Sequence, residues 1–269
     1  MRAPAATLLV AGLLLLAVPA YGAEHPALAK ARLLYNAADY DGAITAAGSA
    51  RSDPASADAA ALVTGRAHLE RHRLRADPAD LAAARGALAT ARAPQLSPRD
   101  QIDLLVGLGQ SLYLGNAYGP AAEVFDTALG RGSLLMHRDR LMLLDWWATA
   151  LDREAQQRPA DARPPVYRRI AERMEEELRQ DPGGAPSNYW LAAAARGAGD
   201  LDRAWNAAIA GWVRAQLSPE TTGTLRTDLD RLVTEALIPE RARTRPQREQ
   251  PDALTSLRVE WELNKQQWP

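Results

Sequence analysis

Apolar positions recur at spacings of three and four residues from the start of the twenties almost to the end of the chain, and period-two runs of β-branched residues are missing. That pattern predicts helices throughout and no sheet. Over 98–115, Ile102, Leu105, Gly109 and Leu112 share one helical face, with Val106 and Tyr113 at its edge. Over 139–156 the stripe is Leu144, Trp147, Ala148 and Leu151, and over 164–180 it is Val166, Ile170, Met174 and Leu178. Helix starts are marked as well. Ser97-Pro98-Arg99-Asp100 places a capping serine, a proline at the first helical position and an acid in the first turn, and Ser218-Pro219-Glu220 repeats that logic.

The helices come in pairs: 27–36 with 39–52, 58–72 with 78–91, 98–115 with 119–131, 139–156 with 164–180, and a fifth pair around the turn Gly199-Asp200-Leu201. The return helices carry small residues at helical spacing, such as Ala43, Ala47 and Ala50, or Ala204, Ala208 and Gly211. Small residues let two backbones approach closely, as an antiparallel hairpin requires. The alanines that open the return helices, Ala43, Ala84, Ala121 and Ala204, are 41, 37 and 83 residues apart, the last gap being two units of about 41. Beyond 217 the pattern changes. An amphipathic helix is expected over 218–238, with Leu225, Leu229, Leu232, Val233 and Ala236 on one face and Ile238-Pro239 as its end. Residues 239–250 read as an exposed polar linker. A last helix within 251–269 carries Leu254, Leu257 and Trp261, extended by Trp268, a face suited to capping what precedes it.

The third pair carries the most specific signal: Leu105-Val106-Gly107-Leu108-Gly109-Gln110-Ser111-Leu112, then Ala121, Phe125 and Ala128. A large residue, Leu-Gly, another large residue and then Ala-x3-Phe resembles one tetratricopeptide hairpin. Asp53-Pro54 and Asp181-Pro182 sit where that family places its repeat-ending proline. The resemblance is good over 101–131 and 187–212, fair over 27–54 and weak over 58–92 and 136–182, where most signature positions are lost. It implies an all-α fold, an α-solenoid of about five antiparallel hairpins over 23–217 closed by C-terminal helices. It also implies a concave groove, lined by the first helix of each hairpin, that binds peptides or partner proteins. On that groove it places Arg32 and Tyr35, then Leu62, Arg66 and Leu69, then Val106, Gln110 and Tyr113, then Tyr189, Ala193 and Arg196. Trp146 and Trp190 are the tryptophans expected to reach a ligand. Such a groove is mixed aromatic and basic, suited to an extended acidic or apolar peptide.

Composition sharpens the setting. Arg2, the apolar run Thr7 to Val18, the break at Pro19 and the small residues of Ala20-Tyr21-Gly22 read as a secretory signal peptide over 1–22, with cleavage after Gly22. The run is short of the roughly 17–25 apolar residues an anchor needs, so a periplasmic or extracellular protein with no retained span is expected. There is no cysteine, which rules out an acylated lipoprotein cysteine and disulfides alike. Removing Arg2 with the leader leaves 31 basic against 33 acidic residues, a net of −2. A near-neutral chain has no electrostatic footprint for nucleic acid.

Few residues suggest chemistry. His68 and His72 are four apart on one helix with Glu70 between them, and two imidazoles on one face can share a metal. The order His-x-Glu-x-His turns Glu70 to another face, however, and a zinc site needs three or four ligands. No metal is expected, and His68 reads as packing at the aromatic position of its repeat. Of seven tryptophans, Trp147, Trp205 and Trp212 fall on interior faces. Glu175-Glu176-Glu177, with Glu172, Arg173 and Arg179, reads as a solvated ion-paired face. No nucleophile elbow or phosphate-binding glycine loop is present, and nothing calls for a cofactor. The reading is a non-enzymatic scaffold for an unidentified protein or extended peptide. The alternative is an all-helical enzyme acting on a cell-wall polysaccharide, with tryptophans as sugar platforms, which needs two carboxylates facing each other across a cleft.

Overall fold

A computed structural model describes residues 24–269; the expected signal segment, 1–22, lies outside them. Helices are α1 (Pro26–Asn36), α2 (Tyr40–Ala50), α3 (Ala57–Arg75), α4 (Pro78–Thr90), α5 (Pro98–Leu114), α6 (Tyr118–Leu129) and α7 (His137–Gln156). They continue as α8 (Pro164–Gln180), α9 (Ala185–Gly197), α10 (Leu201–Arg214), α11 (Thr222–Leu232), α12 (Ile238–Arg243) and α13 (Gln250–Gln267). Among the described residues there is no strand, and no helix is long and apolar enough to cross a membrane.

Local chemistry fixes where the helices begin. Proline opens α1, α4, α5 and α8, where its missing N–H costs nothing. Asp39, Asp77, Ser97 and Asp200 each accept a first-turn backbone N–H, at 2.9–3.1 Å. The start expected at Ser218-Pro219 is not used. Residues 218–221 form a turn, and the helix begins at Thr222, whose hydroxyl bonds the carbonyls of Ala215 and Ser218.

The turn inside a pair is the same device used again. Ala38, Asn116 and Gly199 have φ of 60°, 62° and 85°. The next residue's N–H reaches back five positions, Asp39 to Leu34, Ala117 to Leu112 and Asp200 to Ala195, at 2.9–3.0 Å. This left-handed closure satisfies the last carbonyls of one helix and reverses the chain. Ala76, at φ 53°, turns the second pair. The fourth pair differs: α7 and α8 are joined through a short 3₁₀ turn, Ala160–Ala162, with no left-handed residue.

Each helix packs on its sequence neighbour, and the odd-numbered helices also touch one another, α1–α3–α5 and α7–α9–α11. No comparable backbone contact joins α5 to α7. That gap is filled by Tyr113, edge-on to Trp146 with ring centroids 5.2 Å apart. Crossings within pairs are tight because glycine sits at the contact. A Cβ on Gly109 would lie 2.4 Å from Phe125, and one on Gly65 would lie 2.6 Å from Leu88. The largest core runs from α6 to α13 around Phe125, Trp147, Ile170, Met174, Leu229 and Trp261.

Pro239 does not end its helix. A π turn, Val233–Leu237, leads from α11 directly into α12, with the Ile238 N–H bonded to the Val233 carbonyl. Widening the turn just before the proline accommodates a ring that would clash with, and a nitrogen that cannot bond, the carbonyl four residues back. The buried Leu237 and Ile238 hold the chain in place there. The expected linker is therefore helical as far as Arg243. α13 then folds back onto α10 and α11. Trp261 is 1% exposed, stands edge-on to Trp205 and Trp212, and donates its N–H to Asp230 at 2.8 Å.

Candidate functional site

Arg66, Glu70 and Arg73 lie at i, i+4 and i+7 on α3, so they project from one side of it. From there a chain of contacts crosses the odd-numbered helices. Toward α1, the Arg66 guanidinium stacks 4.8 Å from the Tyr35 ring centre. Toward α5, it donates to Asp103 at 2.7 Å. Arg73, bonded to Glu70, stacks on Trp146 of α7 at 5.5 Å, and Trp146 meets Tyr113 of α5. Met142, one turn before Trp146, is 51% exposed.

A hollow lies at each end of this face. The first, about 230 Å³, is bounded by Arg32, Tyr35, Arg66, Arg99 and Asp103 from α1, α3 and α5. The second, about 360 Å³, is bounded by Asp145, Pro186, Tyr189, Leu225 and Asp228 from α7, α9 and α11. Burial raises the Tyr35 and Tyr189 phenols; the Arg66 guanidinium opposes it at Tyr35, and Asp228 adds to it at Tyr189.

The expected groove arginines are placed as follows. Arg32 and Arg66 do reach the face, but their charges are largely answered within the chain. Arg32 makes a two-armed bond to Asp100, at 2.9 and 3.0 Å, and pairs with Glu24. Burial alone would raise the Asp100 carboxyl; Arg32 and the Ser97 hydroxyl outweigh it and hold the group below its ordinary value. Arg196 is bound through two bonds to Glu240, at 2.6 and 2.9 Å, and clamps α9 to α12.

Trp190 is held within the chain as well. It is 8% exposed, packs against Tyr189 and donates its N–H to Asp145 at 2.8 Å. Leu62 and Leu69 are buried in the second pair's own core. Val106 and Gln110 are half-buried on α5 between the two hollows, and Val106 leans on the main core. The candidate face also gathers Glu70, Arg73, Arg99, Asp103, Met142, Asp145, Pro186 and Asp228, which the sequence does not place on the groove. Arg66-Glu70-Arg73 has the same spacing as Val106-Gln110-Tyr113 and was legible; Asp228 was not, because α11 becomes a wall only through packing.

The two histidines serve the α3–α4 turn. His68 pairs with the buried Asp80 at 2.8 Å, and His72 with the Asp77 carbonyl at 2.7 Å, so His68 is not an apolar packing residue. Among the described residues no three His, Cys, Asp or Glu side chains converge as a metal site would need.

A larger hollow than either, about 860 Å³, lies elsewhere, between the start of α10, α12 and α13. Three of the carboxylates that border it have structural tasks. Asp200 caps α10, Asp202 pairs with Arg241 and Glu260 accepts the Trp205 N–H. Compared with known proteins, the chain matches no family model, no curated protein and no solved structure.

Proposed function

We propose that the protein is a non-enzymatic tetratricopeptide-like scaffold whose odd-numbered helices hold an extended peptide or a segment of a partner protein. The observation that carries this reading is the pair of contact sets on one side of α3, Tyr35–Arg66–Asp103 and Glu70–Arg73–Trp146–Tyr113, which gather aromatic and polar side chains from α1, α3, α5 and α7 beside the exposed Met142. The repeated turn at Ala38, Asn116 and Gly199 and the glycine crossings at Gly65 and Gly109 support the reading of stacked, solenoid-like hairpins. Selection of a random peptide library on the immobilised protein tests it. Binders should be lost on Met142→Glu, a change at an exposed position that leaves folding intact, and weakened by Trp146→Ala. Binders indifferent to both changes would refute the reading.

The enzymatic alternative finds its one supporting feature in the Asp145 and Asp228 carboxylates, which border the same hollow beside Tyr189. Release of soluble sugar from cell-wall polysaccharide, abolished by Asp145→Asn, would establish it. Export to the periplasm or beyond rests on the Arg2, Thr7–Val18 and Ala20–Gly22 pattern. Amino-terminal sequencing of the native protein should therefore read from Ala23.

A further inference from the structure

Trp146 already carries a cation of the chain's own. The Arg73 guanidinium of α3 lies 5.5 Å from the centre of the Trp146 ring on α7, and it donates to the Glu70 carboxylate at 2.8 and 3.1 Å. A carboxylate beside an aromatic face is the arrangement that receives a guanidinium or ammonium group, because ring quadrupole and charge attract it together. Both acceptors are built in. Trp146 is held by Tyr113, edge-on at 5.2 Å, and by Phe125, at 5.9 Å. The Glu70 side chain is 17% exposed, and among the described residues Arg73 is its one ion-pair partner.

Arg73 is held less firmly than the other arginines of this face. Arg66 is tied to Asp103 of α5 at 2.7 Å, and Arg99 to Asp139 of α7 at 2.5 Å. Arg73 bonds three residues back on its own helix, and its side chain is 46% exposed. It reaches α7 from a helix that is not a packing neighbour of α7. It can therefore leave Trp146 without breaking a helix–helix interface or an ion pair between helices.

We infer that Trp146 and Glu70 form a subsite for a Lys or Arg side chain of the bound segment, and that Arg73 is an internal stand-in which the segment displaces. This rests on the proposed groove. The incoming side chain brings the same group to the same two acceptors, while Arg73 turns to solvent. An acidic segment, which a count of arginines favours, would meet Glu70 instead. An exposed contact between a cation and an aromatic ring shifts an equilibrium about two- to fivefold, so the subsite stands open in about one third to one sixth of the molecules. Apparent affinity falls by that fraction, and Arg73 thereby sets a threshold that a segment must pass.

The test selects a random peptide library in parallel on the mature protein and on its Arg73→Ala variant. Position 73 is an exposed helical one, where alanine preserves the helix; Arg73→Gln replaces it should alanine alter the melting curve. Peptides enriched on the variant should carry a Lys or Arg. In fluorescence anisotropy one such peptide should bind the variant about three- to sixfold more tightly than the wild type, because its competitor is gone. Replacing the peptide's basic residue by Gln should abolish that advantage. Peptides that bind both proteins equally, or keep the advantage after the Gln replacement, yet are lost on Met142→Glu, would overturn the subsite and leave the groove standing. Weaker binding to the Arg73 variant would make Arg73 part of the receptor and overturn its displacement. Binding indifferent to Met142→Glu would overturn the groove itself, and a library that yields no binder on either protein would overturn both.

Discussion

Gly109 is where α5 comes closest to α6, and adding a single methyl group there tests the packing that defines the hairpin. A Cβ at this position would lie 2.4, 2.6 and 3.0 Å from three atoms of the Phe125 ring. Ordinary carbon contacts are about 3.5–4.0 Å, so the ring would have to move by about 1 Å. It has nowhere to go: Phe125 is fully buried and lies 5.9 Å from Trp146. Overpacking of a dense interior costs about 1–3 kcal/mol. Alanine's better helix propensity returns about 0.8–1.0 kcal/mol of it. Gly86→Ala provides the control. It adds the same methyl group on α4 where nothing lies within 4 Å, and it should stabilise by about 0.5–1 kcal/mol. Propensity cancels between the two variants, so the gap between them measures the clash, about 1–3 kcal/mol. For a chain of this size each kcal/mol moves the Tm by about 2–4 °C. Thermal and urea unfolding followed by circular dichroism would read it, and Phe125→Leu should rescue Gly109→Ala. If the two alanine variants melt together, Gly109 is not a crossing glycine.

Three further outcomes follow from the same structure. Ala76→Gly removes a left-handed alanine at φ 53° and should raise the unfolding free energy measured in urea by about 0.5–1 kcal/mol, whereas Gly199→Ala, at φ 85°, should lower it by about 1 kcal/mol or more. The Tyr167 phenol is pushed up to about 12 from 10.0, by burial first and then by Asp152, so the folded state keeps a proton that the unfolded chain gives up. The resulting stability is full below about 10 and is lost as pH rises through about 12; Tyr167→Phe should flatten alkaline unfolding across that window. Deleting 251–269 uncovers Trp205 and Trp212 and should produce aggregation, seen by light scattering; a soluble variant of unchanged stability would show that α13 is not a cap.

Helix positions were legible because their signals are local. Proline at a first turn, an aspartate or serine cap and a three-four apolar stripe all act within one turn, and the observed boundaries of α1 to α10 follow them closely. Pro239 and the polar run after it carry the local signals of a stop and a linker, yet side chains distant in sequence hold that segment in a helix. Arg241 stacks on Trp205 at 4.9 Å and pairs with Asp202, and Arg196 binds Glu240. In a helix whose Leu237 and Ile238 are fully buried, packing carries the chain through a proline at the expense of one widened turn.

The candidate site shows the same division more sharply. Spacing along one helix places Tyr35, Arg66, Tyr113 and Tyr189 on the faces of the odd-numbered helices, because a helix face is a local property. Charge balance is not local. Arg32 finds Asp100 across 68 positions of sequence, Arg66 finds Asp103 across 37, and Arg140 finds Glu177 across 37. A face counted as basic from its arginines is therefore neutralised by carboxylates that other hairpins deliver. Asp145 and Asp228, unremarkable in the sequence, are left facing a hollow without a lining cation. Net charge on a repeat surface thus follows from which residues remain unpaired after the hairpins stack. Those residues, more than the arginine count, set the charge that the face presents.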